Sequence, residues 1–144
     1  MTFTLKARGA IGGTAEGRAL VCPDSIQGWA GVSDTSGVII EKGHAEEGQC
    51  IDGRILVLPC SKGSNGWSCH FHSAMRAGFK PAGWIFTKMD SRAGVASVVI
   101  GSPAIADFEG EDPCELIKSG DWLKIDGDTG IVTVTREQEQ TCRG

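Results

Sequence analysis

From Thr2 to Arg8 polar and apolar side chains alternate, and Gly17-Arg18-Ala19-Leu20-Val21 resumes an extended pattern beyond the glycine turn Gly9 to Gly13. Two strands are therefore expected near the N-terminus. The stretch from Cys22 to Gly37 is loop-like, rich in Gly, Ser, Asp and Trp. It gives way to Val38-Ile39-Ile40, a short apolar run expected as a buried strand, before His44 to Gln49 turns polar again. The clearest strand is Gly53-Arg54-Ile55-Leu56-Val57-Leu58-Pro59: four consecutive aliphatics suit a strand covered on both faces, and the proline ends it. A polar glycine loop follows, then a helix-compatible stretch from Trp67 to Ala77 with Gly78 placed to cap its C-terminus.

Gly83-Trp84-Ile85-Phe86-Thr87 reads as a further buried strand. Val95-Ala96-Ser97-Val98-Val99-Ile100 reads as another, after a short turn or helix around Ser91 to Gly94. Near the C-terminus Trp122 to Asp126 and Ile131 to Val134 flank Gly127-Asp128-Thr129-Gly130, the pattern of a β-hairpin around an Asp-Gly turn. Residues 136–144 are polar and expected to fray. Antiparallel strands at both ends with strand–helix units between them predict an α/β fold, a compact layered β/β/α domain spanning residues 1–144 without internal repeat or linker.

Composition narrows the classes. With 144 residues and 40% apolar content the chain supports one core and is too short for two. The 14 Lys and Arg against 18 Asp and Glu give a net charge of -4, which argues against a nucleic-acid partner. No apolar run approaches the roughly 18 to 20 residues that cross a bilayer, and the polar start lacks a signal-peptide core, so a soluble cytoplasmic protein with no membrane partner is expected. Cysteines stand at 22, 50, 60, 69, 114 and 142, with no CxxC. In a reducing compartment they are expected as free thiols, most of them small core hydrophobes.

Candidate chemistry gathers in Ser61-Lys62-Gly63-Ser64-Asn65-Gly66, between a buried strand and a helix. A glycine-flanked loop opening a helix turns backbone N–H groups and the helix dipole toward one small volume that favours an anion. Lys62 offers a cation, Asn65 a hydrogen-bond donor, and the Ser64 hydroxyl is placed to project from a tight turn. A serine serves as a base only where its alkoxide is stabilised by such dipoles and charges; equally, Ser64 can simply cap the helix. Cys69-His70-Phe71-His72 is not a metal cluster, since neighbours one and two apart on a helix face different ways. One of its histidines is expected at the surface and one against the sheet. His44, in a polar loop, is expected exposed. Gly12 to Gly17 lacks the strand, GxGxxG, helix order and reads as a turn, and the acidic run Asp107 to Asp112 as a solvated loop.

Taken together, Gly9 to Val21, Gly48 to Pro59, Gly63-Ser64 opening the helix and Ala96 to Pro103 resemble the small subunit of aconitase X over nearly the whole chain. The resemblance implies the swivelling β/β/α domain of the aconitase superfamily. It implies half of a hydro-lyase that is active only with a large catalytic subunit, whose cysteines hold an iron–sulfur cluster or iron, while this chain binds no metal. In that family Ser64 matches the serine that removes a proton beside the substrate carboxylate, the metal acts on the leaving hydroxyl, and Lys62, Gly63 and Asn65 line the anion pocket. The archaeal branch that dehydrates phosphomevalonate usually carries Gly-Arg-Gly-Ser-Ser here. Lys62 supplies a point charge in place of the guanidinium fork. This departure points to the bacterial branch acting on cis-3-hydroxy-L-proline to give pyrroline-2-carboxylate, with phosphomevalonate as the alternative hydroxy-carboxylate. A swivel domain carrying phosphohistidine, using His70 or His72, and a non-catalytic ligand-binding module are the rival readings.

Overall fold

The computed structural model describes residues 2–22, 25–26, 31–33, 35–44, 46–60, 67–88, 90–108 and 112–136, with backbone alone at 67–70 and 91–93. In chain order the elements are β1 (Thr2–Lys6), β2 (Arg8–Ile11), β3 (Thr14–Val21), β4 (Ile55–Leu58), α1 (Trp67–Arg76), β5 (Gly83–Phe86), α2 (Ser91–Ile100), β6 (Ala104–Ala106), α3 (Pro113–Leu116), β7 (Trp122–Asp126) and β8 (Ile131–Thr135).

The strands join in the order β1-β8-β7-β3-β4-β5-β6-β2. β3 changes partner along its length: Thr14 to Arg18 run antiparallel to β7, and Ala19 to Val21 run parallel to β4. β4, β5 and β6 continue the parallel sheet, and β2 closes its edge antiparallel to β6. The β7–β8 hairpin forms as its Asp-Gly turn predicts, with β1 added outside β8.

Burial follows from that arrangement. β4, β5 and β6 are buried at every position, because both sheet faces are covered. On one face Leu56, Leu58, Trp84 and Phe86 pack with Phe71 of α1 and with Ala96 and Ile100 of α2. Trp84 is the hub of this layer, edge-on to Phe71 at 5.3 Å and stacked on Phe86 at 5.4 Å between ring centroids. On the other face Val57, Ile85 and Ile105 meet Leu123, Ile125, Val132 and Val134 of the hairpin. The result is the layered β/β/α fold expected from the sequence.

Three local expectations are corrected. Val95 to Ile100 is not a strand but the second half of α2. Ala96, Ser97 and Ile100 are buried while Val95, Val98 and Val99 face out, which is a helical period. The parallel β5–β6 pairing demands a crossover between them, and that requirement overrides the β-branched composition. Val38 to Ile40 forms no strand; it is held by isolated bridges, Val32 to Ile39 and Val38 to Cys50, with Ile39 buried beneath. The turns expected over Gly9 to Gly13 and over Gly12 to Gly17 give way to β2, whose register slips between Gly9 and Ile11, and to β3 from Thr14 onward. Gly78 does close α1, at φ 103, where a side chain would be strained.

An open cleft of about 500 Å³ lies against β3 and β7, lined in part by Arg18, Asp121, Trp122 and Arg136. Arg18, Asp121 and Arg136 are already engaged. Arg18 donates to the Gly120 carbonyl at 3.0 Å and lies 5.7 Å from the Trp122 ring centroid. Arg136 makes two hydrogen bonds to the Asp121 carboxylate, at 3.0 and 2.8 Å. Burial opposes ionisation of Asp121, but the bonds from Arg136 and from the Lys118 N–H outweigh it, and the carboxyl sits below its ordinary value of 3.8. Such a group stabilises the fold above its unfolded pKa and loses that contribution as pH falls through the lower folded value. Asp121→Asn is therefore expected to cost about 1.5–3 kcal/mol at pH 7. It should also flatten the acid limb of stability below pH of about 4, which urea midpoints measured against pH will read.

Candidate active site at the carboxyl ends of the parallel strands

β3, β4 and β5 end together. Cys22, one residue beyond β3, donates to the Val57 carbonyl at 2.9 Å. Thr87 and Lys88 extend the β5 ladder past Pro59, donating to the carbonyls of Leu58 at 2.9 Å and Pro59 at 3.1 Å. In an open parallel sheet this edge is where loops gather and ligands bind. In the sequence, residues 61–66 connect β4 to α1. Lys62, Gly63, Ser64 and Asn65 all lie outside the described residues, whereas Cys60, two positions before Lys62, is described.

Cys60 is tethered. The buried Ser25 donates its hydroxyl to the Cys60 carbonyl and its N–H to the Cys22 carbonyl at 2.9 Å. Ser25 stands at φ 64, a left-handed conformation that costs a serine about 1–3 kcal/mol and persists only where surrounding bonds dictate it. One of those bonds comes from His44, whose Nε2 lies 2.7 Å from the Ser25 carbonyl. The Glu46 N–H donates to His44 Nδ1 at 2.9 Å, so Nε2 is the nitrogen that carries the hydrogen and donates. Glu46 in turn accepts from the Ser119 hydroxyl at 2.6 Å, and Ser119 Oγ accepts the Val21 N–H at 2.9 Å. A one-way chain of hydrogen bonds thus runs from the end of β3 to the end of β4.

His44 is half-buried and bonded at both ring nitrogens, not exposed as expected. The sequence offers no signal for this, because its partner Ser25 is 19 residues away in a loop. The described cysteines are free thiols as expected, but they are not mostly core residues. Cys22 is fully buried, but Cys50, Cys60 and Cys114 are half-buried free thiols. Cys69 and Cys142 lie where no side chain is described. Asp112, expected in a solvated loop, caps α3 by accepting the Cys114 N–H at 3.0 Å. Of the two helix histidines, His72 is half-buried, and the side chain of His70 lies outside the described residues.

The described residues do not fit an iron centre. Among them no group of three His, Cys, Asp or Glu is placed to hold a metal ion. Burial also pushes the Cys114 thiol up to about 11 and the Cys22 thiol higher still, so both rest as neutral thiols at neutral pH. No helix among the described residues is long and apolar enough to cross a membrane.

A family model described as the aconitase X swivel domain matches residues 4–134. The chain belongs to this family. The swivel domain is 36% identical over 131 residues to a phosphomevalonate dehydratase small subunit of Methanocella arvoryzae, covering 91% of this chain and 98% of that one. It is 30% identical over 132 residues to the protein of the same name from Methanococcoides burtonii, covering 92% and 96%. Among solved structures, that of Thermococcus kodakaraensis aconitase X in its holo-form superposes with a TM-score of 0.84 at 26% identity, over 93% of the swivel domain and 99% of that chain. The solution structure of a UPF0107 protein superposes with a TM-score of 0.79 at 27% identity, over 93% and 100%.

Proposed function

We propose that the chain is the small subunit of a cytoplasmic hydro-lyase that removes water from a hydroxy-carboxylate and is active only with a large catalytic subunit. The observation that carries this reading is the full-length likeness to relatives named as dehydratase small subunits. The whole chain, 1–144, acts as one domain that closes against its partner. Ser64 is the general base. Its alkoxide is stabilised by the Lys62 ammonium and by the backbone N–H groups of a glycine-flanked loop before a helix, and it takes the proton from the carbon beside the substrate carboxylate. Gly63 lets the backbone approach that carboxylate, and Asn65 donates to it. The iron or iron–sulfur group belongs to the large subunit.

Two substrates are supported by different observations. The names of the relatives favour phosphomevalonate. The loop favours cis-3-hydroxy-L-proline, because Lys62 stands where a guanidinium would grip a phosphate with two parallel bonds. The reconstituted pair, given both compounds side by side, is expected to dehydrate one of them, and neither subunit alone to dehydrate either. A pair that binds carboxylates without releasing water would overturn the hydro-lyase reading in favour of a binding module.

A further inference from the structure

We propose that Ser25 and His44 are positioning residues that set where the 61–66 loop leaves the sheet. Three observations converge on Cys60, the last described residue before that loop: its carbonyl is held by the Ser25 hydroxyl, Ser25 sits in a left-handed conformation, and His44 holds the Ser25 carbonyl at 2.7 Å. Each bond has a forced direction. Because the Glu46 N–H occupies His44 Nδ1, the imidazole can only donate through Nε2, and Glu46 is itself fixed to β3 through Ser119. An unsupported serine has little reason to stay at φ 64, so loss of the imidazole lets Ser25 relax and frees the Cys60 carbonyl. The consequence for catalysis rests on the reading of Ser64 as base. Ser64 lies four positions beyond Cys60 in the sequence, and a displacement of about 1 Å at a reacting group can cost about 100-fold in rate.

The test uses three variants of the full chain. His44→Asn keeps an amide near the Nδ1 position but cannot reach Ser25. Ser25→Gly removes the hydroxyl while accepting the backbone conformation, so it keeps the fold. His44→Gln places an amide donor near the Nε2 position and is the conservative rescue. Hydrogen exchange read on peptides covering residues 60–66 is expected to quicken about threefold or more in His44→Asn and Ser25→Gly and to return toward the parent in His44→Gln. Peptides from the β7–β8 hairpin should be unchanged. In the complex with the large subunit the first two variants should lose about 10-fold or more in kcat with KM within about twofold. Unchanged exchange at 60–66, an equal rise in the hairpin, no recovery in His44→Gln, or, where Ser64→Ala is inactive, an unchanged kcat in His44→Asn would each overturn the proposal. Ser64→Ala run in parallel separates the two ideas: if it turns over normally the base reading fails, while the exchange result still decides the positioning.

Discussion

Ser64→Ala is expected to leave the chain folded and bound to its large subunit but to lower kcat for dehydration by about 1,000-fold, the scale of a lost general base. The substitution removes one oxygen. It leaves the charge of Lys62 and the backbone amides of the loop in place, so binding of the substrate carboxylate should persist and KM should change little. The comparison therefore belongs at saturating substrate, with assembly checked by size-exclusion chromatography. A second readout isolates the step: the parent should exchange the proton beside the carboxylate with deuterated solvent, and Ser64→Ala should not. If the variant retains exchange, another group takes the proton.

Gly127→Ala is expected to be strongly destabilising, because the added methyl has no room in the hairpin turn. A Cβ at Gly127 would run into the carbonyl oxygen of Ile11 and lie 3.3 Å from the Gly12 Cα, while a Cβ at Gly9 would in turn meet the Gly127 carbonyl. The Gly127 N–H also donates to the Gly13 carbonyl at 2.7 Å. The obstructing atoms are all backbone, so no side chain can swing away, and either the turn or the end of β2 must move. A loss of about 4 kcal/mol follows, in the range of overpacking with broken hydrogen bonds. For a domain of this size that is a fall of about 8–16 °C in Tm, to be measured by calorimetry. A variant within about 2 °C of the parent would mean the turn opens freely.

What sequence reasoning reaches here depends on the range of the interaction that decides each element. The β7–β8 hairpin and β4 are legible because their signals are local: an Asp-Gly turn between alternating runs, and an aliphatic run stopped by Pro59. α2 is not legible from its Val-rich second half, since what makes it a helix is the demand that β5 reach a parallel β6. β2 hides behind Gly9 because its pairing partner, β6, lies nearly a hundred residues away. The same division holds at the strand ends. The assignment of Lys62, Gly63, Ser64 and Asn65 rests on composition and order alone, and these residues lie outside those described. The Ser25–His44 contact needs two loops to meet, and neither a serine about to adopt positive φ nor a histidine about to lose its solvent is marked by its neighbours.

β3 belongs to two pairings at once, antiparallel to β7 over its first half and parallel to β4 over its second. Deleting or inserting a single residue there would turn side chains inside out in both pairings together, exposing Leu20 or Val21 and burying Arg18. The strand therefore has no freedom in length. Indels in descendants of this chain should collect instead between Val32 and Val38, where isolated bridges set no long register and the His44 and Glu46 bonds are left alone, and β3 becomes the ruler against which diverged sequences can be aligned.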